Sequence, residues 1–181
     1  AIKDLIAWKN SPRRRPLLVQ GARQVGKTWL IREFGQTHFA AVAYVNFLED
    51  EAMARQFEGE LAPARLLYAV TLYTGVNAKD PNTLVVFDEI QECPRALTSL
   101  KSFAERSPET ALVAAGSLLG VALHRGVSFP VWKVDHLLIY PLSFGEFLLA
   151  TGNNLMLDTL RLGDLALADS LSERYIEQLR N

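Results

Sequence analysis

The 181-residue chain predicts an α/β protein: a three-layer α/β/α core on a mostly parallel five-stranded sheet, followed by a short helical appendage. Three observations predict it. Five short apolar runs of strand length alternate with stretches whose apolar residues recur at helical spacing, the pattern of a parallel sheet covered on both faces. The first run leads into Gly21-Ala22-Arg23-Gln24-Val25-Gly26-Lys27-Thr28, a glycine-rich turn ahead of a helix. The third ends in two adjacent carboxylates, Asp88 and Glu89.

Leu17-Leu18-Val19, after Arg15 and Pro16, is the first strand. The helix behind the glycine turn carries Trp29, Leu30, Ile31 and Phe34, and Gly35 is set to stop it. Ala41 to Phe47 is the second strand, and the acidic Glu49-Asp50-Glu51 opens a stretch of two helices. The second of these starts near Pro63 and carries Leu66, Leu67, Val70 and Tyr73 before Gly75. Asn77 to Asn82 is loop. Thr83 to Phe87 is a near-continuous apolar strand, expected to be covered on both faces.

A helix follows from about Pro94 to Arg106 and is broken by Ser107-Pro108. Ala111 to Ala115 is the fourth strand, Gly116 to Arg125 turn and short helix, and Val131 to Tyr140 holds a fifth strand centred on His136-Leu137-Leu138-Ile139. After Thr151-Gly152-Asn153-Asn154 the chain turns helical with no further strand. Residues 1–150 are therefore expected to form the core and residues 151–181 the start of the appendage. Because the second strand intervenes, the loop-bearing strand and the acidic strand need not be sheet neighbours, which leaves room for the fourth strand between them.

Composition sets bounds. An apolar share of 49% supports a real core, and a net charge of −1 gives no global pull towards nucleic acid or an anionic membrane. The single cysteine, Cys93, excludes an internal disulfide and any Cys-based metal spacing, and His38, His124 and His136 share no metal spacing either. No apolar run reaches the roughly 18 residues that span a bilayer. The reading is a cytoplasmic protein with no membrane partner. The chain opens on Ala1, and Leu171, Tyr175, Ile176 and Leu179 lie on one face of a final amphipathic stretch without a capping signal. That pattern is expected of a piece of a longer or engineered protein.

Gly21 to Thr28 fits the full phosphate-loop pattern G-x-x-x-x-G-K-[S/T], which a random chain of this length matches roughly once in a hundred tries or fewer. Gly21 and Gly26 let the backbone curl so that successive N–H groups, those of Ala22, Arg23, Gln24 and Val25 among them, and the positive end of the next helix face a phosphate. Lys27 supplies a point charge to the terminal phosphates, and Thr28 offers its hydroxyl to magnesium. Asp88, at the carboxyl end of its strand, is placed at the same sheet edge to hold magnesium through water. Glu89 is then placed to orient or deprotonate an attacking water. A P-loop nucleoside triphosphatase with an additional catalytic glutamate has this arrangement, with the tip of the fourth strand reaching the terminal phosphate.

Ser117 occupies that tip, and two roles are open to it: contact with the terminal phosphate and water, or capping of a helix beginning at Leu118. Gln91 has a lesser claim to the water, against a solvated turn. Arg23 either meets phosphate or a neighbouring subunit or is solvated. Arg95, Arg106 and Arg125 are conceivable charge-stabilising fingers. Arg13-Arg14-Arg15 reads as a wet linker flanked by prolines. Ser143 and Glu146 stand at capping-box spacing, so Glu146 is assigned to its own helix start.

The sequence resembles the bacterial and archaeal AAA-type ATPases whose ATPase domain precedes a C-terminal nuclease-like domain of unknown function. The resemblance rests on V-Q-G-A-R-Q-V-G-K-T, L-V-V-F-D-E-I-Q-E-C-P-R-A-L, A-G-S-L-L-G, S-F-P-V-W-K-V and I-Y-P-L-S-F-G-E-F-L, and runs from Pro16 to Leu149. It implies ATP and magnesium as cofactors, ATP contacts at Gly21 to Thr28, acids at Asp88 and Glu89, and a sensor-like polar residue at Ser117. Adenine specificity comes from the resemblance alone. Such proteins usually have Gly where this chain has Trp132. They also continue into further domains, so a C-terminal domain is an expected partner beside ATP and ADP, and an oligomer is admitted.

Three functions follow. The first is Mg-ATP hydrolysis that drives or switches an attached domain or partner. The second is a nucleotide-dependent switch with little turnover. In the third the ATPase serves a DNA-associated factor, a reading that composition does not support.

Overall fold

The computed structural model describes residues 1–117, 133–163, 167 and 176–177. The expected short helix after Ser117 with His124 and Arg125, the segment around Trp132, and the face of Leu171, Tyr175 and Leu179 lie outside them. Two compact units divide the chain, Ala1–Tyr140 and Pro141–Asn181.

The first unit carries a five-stranded, wholly parallel sheet. Its strands are β1 (Leu17–Gly21), β2 (Ala41–Asn46), β3 (Thr83–Asp88), β4 (Ala111–Gly116) and β5 (Asp135–Ile139), in the order β2-β3-β4-β1-β5. The fourth strand does stand between the loop-bearing strand and the acidic strand. Between the strands run α2 (Lys27–His38), α3 (Glu51–Arg55), α4 (Pro63–Thr74) and α5 (Pro94–Arg106), and α1 (Ile2–Lys9) precedes β1.

Period-two alternation along buried strands builds the three layers. Val85 and Phe87 face a core with Leu66, Leu67 and Val70 of α4 and Leu97, Leu100 and Phe103 of α5, whereas Leu84 and Val86 face Leu30, Ile31 and Phe34 of α2 with Leu5 and Trp8 of α1. Phe87 lies edge-on to Phe47, Phe57 and Phe103, with ring centroids 5.6, 5.4 and 6.2 Å away. Each such contact contributes about 0.5–1.5 kcal/mol beyond area burial, so the residue just ahead of Asp88 is firmly fixed.

Some elements depart from expectation. Gly35 does not stop α2, which continues to His38. A Cβ at Gly35 would come 2.7 Å from Val42 Cγ2 and 3.1 Å from Leu84 Cδ2, so its role is to let the helix lie close on β2 and β3. Tyr73 is exposed although it shares the helical spacing of Leu66, Leu67 and Val70. The N-terminal α1 was not among the expected elements, yet it buries Leu5 and Trp8. It also ties down the arginine run: Trp8 Nε1 donates to Arg15 O at 2.7 Å, and Arg14 lies over the Trp8 ring and donates to the carbonyls of Lys9 and Glu109. Arg14 is therefore structural rather than part of a solvated linker.

In the second unit, α6 (Phe144–Ala150) starts with the expected capping box of Ser143 and Glu146. It buries Leu148 with Met156 and Leu157 of α7 (Asn154–Leu162). This shared core lies within the second unit. Among the described residues no helix is long and apolar enough to cross a membrane.

Candidate functional site

Both glycines of the loop are required, for different reasons. Gly26 caps α2 at φ 84°, the left-handed region that favours glycine. Gly21 ends β1 without such a turn, but a Cβ there would stand 2.3 Å from Ile139 O, which only glycine avoids. The second left-handed residue of the loop is Gln24, at φ 62°. The backbone therefore does curl, at Gln24 and Gly26 rather than at Gly21.

Lys27 is the first residue of α2 and is 7% exposed. Its ammonium group donates to Gly21 O at 3.1 Å and Ala22 O at 2.6 Å, so the side chain folds back under the loop. Burial pulls its pKa down, and the charges of Glu89 and Asp88 oppose that shift.

Asp88 is 2% exposed at the end of β3. Thr28 Oγ1 donates to its Oδ2 at 2.7 Å, Tyr44 Oη donates to the same oxygen at 2.6 Å, and the Glu89 N–H donates to Oδ1 at 2.9 Å. The sequence reading missed Tyr44. Its signal was the alternation of β2, which turns Val42 and Tyr44 to the α2 face and Ala43 and Val45 away. Burial first, and the bond to Asp88 second, push the Tyr44 phenol pKa up, against a smaller opposite effect of Arg32, so Tyr44 stays a donor.

Glu89 adopts φ 49° and ψ 44°, a left-handed conformation uncommon outside glycine. The turn swings it out of the strand alternation, and Gln91 Nε2 donates to Glu89 Oε2. Gln91 Oε1 is buried and has no hydrogen-bond partner among the described residues.

Arg23, Gln24, Gly26, Lys27, Thr28, Glu89, Gln91, Glu92 and Ser117 line one open cavity of about 510 Å3; Gly21, Tyr44 and the buried Asp88 are not part of its lining, and Asp88 connects to it through Thr28. Ser117 follows β4 directly and is partly exposed; the helix it was alternatively expected to cap lies outside the described residues. Trp29 and Leu48 also line the cavity, although 68% and 64% exposed, and were not foreseen there.

Two of the three conceivable arginine fingers are occupied elsewhere, and Arg125 lies outside the described residues. Arg95 donates to the carbonyls of Phe57 and Gly59. Arg106 closes α5 and donates to Ser102 Oγ, and because α5 runs back to the start of β4 it stands at the far edge of the sheet.

Hard oxygen donors from Thr28 and Asp88, adjacent and backed by a cationic loop, suit a magnesium ion that takes its other ligands from phosphate and water. Residues 13–148 match the family model described as "AAA domain". No curated protein matches the sequence. Among solved structures, "Structure of C. elegans PCH-2" is similar at 16% identity over 90% of this chain and 46% of that one, with a TM-score of 0.41. The chain thus spans under half the length of that structure.

Proposed function

The chain belongs to the AAA domain family, and from that premise we propose that it binds Mg-ATP in the cavity at the loop and hydrolyses it to ADP and phosphate. The observation that carries this reading is the 2.7 Å bond between Thr28 and Asp88, which joins the two motifs at one sheet edge.

In this mechanism the backbone N–H groups from Ala22 to Lys27 and the N-terminus of α2 bind phosphate oxygens. Lys27 leaves the carbonyls of Gly21 and Ala22 for the terminal phosphates, exchanging neutral acceptors for charged ones. Thr28, directly, and Asp88, through water, would hold magnesium, which would neutralise charge on the phosphate oxygens. Glu89 takes or orients the proton of the attacking water, and Ser117 contacts the terminal phosphate from the tip of β4. Gln91 restrains the Glu89 carboxylate and so aims it.

A nucleotide switch with little turnover is the second reading. It draws support from the same Gln91 bond, since a base already holding a donor is less available to water. Under either reading, nucleotide state alters contacts to an attached domain or a partner. Residues 1–150 are then the ATPase core, and a nuclease-like C-terminal domain is the output the resemblance suggests. A nucleic-acid role gains little from the arginine run, because Arg14 is committed to backbone carbonyls.

Steady-state phosphate release from Mg-ATP tests the proposal. Release by the wild type that falls at least a hundredfold or so in Glu89→Gln supports hydrolysis. Equal rates for wild type, Lys27→Ala and Glu89→Gln end it. Tight binding with negligible release selects the switch.

A further inference from the structure

Two hydroxyl groups converge on one oxygen of Asp88, and only Thr28 has a task so far. The other is Tyr44. Strands β2 and β3 pair with Tyr44 opposite Val86 and Asn46 opposite Asp88, so Tyr44 and Asp88 are diagonal neighbours, and alternation turns both to the α2 face. On α2, Thr28 and Arg32 stand one turn apart and meet the two strands in parallel. Thr28 reaches Asp88, while the Arg32 guanidinium lies 4.2 Å from the centroid of the Tyr44 ring. The Arg32 cation thus lies against the ring, while the strand register alone carries the hydroxyl to Asp88.

A carboxylate oxygen accepts two hydrogen bonds in its plane. On Asp88 Oδ2 one is taken by Tyr44, which leaves the second to Thr28, while Oδ1 is held by the Glu89 N–H. The carboxylate plane is therefore locked from both oxygens. When the Thr28 proton is committed to Oδ2, the lone pairs of Oγ1 are directed away from Asp88. Without the Tyr44 hydroxyl, the Glu89 N–H still holds Oδ1, but a second position on Oδ2 opens and the Thr28 proton has two directions instead of one.

We propose that Tyr44 is a positioning residue for the magnesium site: acting through Asp88, its hydroxyl fixes the direction of the Thr28 proton so that the Thr28 oxygen presents its lone pairs to the metal. This inference rests on the reading of the loop as an Mg-ATP site. Partners that orient the ligands of a metal commonly cost 10–100-fold in metal affinity when lost, and an effect near the lower end is expected here, because Tyr44 acts two bonds of a chain away.

The test is calorimetry of wild type, Tyr44→Phe and Arg32→Ala with a non-hydrolysable ATP analogue, in EDTA and in a magnesium titration. Tyr44→Phe is expected to bind the analogue in EDTA within about twofold of wild type and to need roughly tenfold more magnesium for half-maximal tightening. Arg32→Ala, which keeps the hydroxyl, is expected to keep the wild-type magnesium demand. Unchanged magnesium demand in Tyr44→Phe overturns the inference and leaves the nucleotide site standing. So does an equal loss of affinity with and without magnesium, or an Arg32→Ala protein that copies Tyr44→Phe, since either assigns the effect to packing of the ring. A wild type that binds the analogue in neither condition overturns both readings.

Discussion

Thr28 Oγ1 donates to Asp88 Oδ2 at 2.7 Å, joining the end of the glycine-rich loop to the end of β3 across 60 positions of sequence. The bond exists because α2 and β3 each deliver a polar residue at the point where an otherwise apolar interface runs out: Leu84 and Val86 face Leu30, Ile31 and Phe34, and the next residue on each side is Asp88 or Thr28. Packing positions the pair, and the pair makes the site.

Removing Asp88 leaves the half-buried hydroxyls of Thr28 and Tyr44 without their acceptor. Asp88→Ala is therefore expected to lower unfolding stability by about 1 kcal/mol and to abolish magnesium-dependent phosphate release. Urea unfolding read by circular dichroism measures the first effect. A protein of wild-type stability contradicts the hydrogen-bond arrangement described.

Glu89 separates strain from chemistry, since a left-handed non-glycine residue costs of order 1 kcal/mol or more. Glu89→Gly is expected to lose turnover while unfolding at equal or higher denaturant than wild type. Glu89→Gln keeps the strain and loses the base. If Glu89→Gly is clearly destabilised, the carboxylate contributes more to the fold than its backbone conformation takes away.

At Gly35, alanine has the better helix propensity by about 1 kcal/mol, yet the added methyl would lie 2.7 Å from Val42 Cγ2. Gly35→Ala is expected to destabilise by about 1–3 kcal/mol net, and Val42→Ala in the same chain to recover part of that loss. Additive losses in the double variant, measured by urea unfolding, would falsify the contact as the cause.

Asp50 supplies the pH-dependent prediction. It caps α3 by accepting from the Met53 N–H at 2.8 Å, and the Tyr73 hydroxyl, first, and that N–H, second, hold its carboxyl below the ordinary aspartate range. A depressed carboxylate adds stability above the unfolded pKa of 3.8 that is lost as pH falls through the folded value. Carboxyl NMR titration should find Asp50 below 3.8 in wild type and shifted upward in Tyr73→Phe; an unmoved titration contradicts the contact.

The strand, glycine-rich turn and helix around Gly21 to Thr28, the acidic end of β3 and the capping box at Ser143 were legible because each is a short-range pattern; the place of β4 between β1 and β3 was only left open by the intervening β2, and the sheet order fills it. Tyr44 was not, because its partner lies 44 positions away and a tyrosine in a strand looks the same whether its hydroxyl meets water or a buried acid. Gly35 misled for a related reason: a glycine near a helix end reads as a stop, and only the proximity of β2 and β3 makes it a packing residue. Arg14 looked like one of three equivalent charges until Trp8 and the Glu109 carbonyl came beside it.

The central claim is that Gly21 to Thr28 and Asp88 form one nucleotide site. Calorimetric titration of Mg-ATP into wild type and Lys27→Ala, with folding of both checked by circular dichroism, tests it most directly. Saturable one-to-one binding by the wild type, weakened at least about tenfold in Lys27→Ala (about 1.4 kcal/mol), is the predicted result. No binding by a folded wild type, or equal affinity in both proteins, would contradict it.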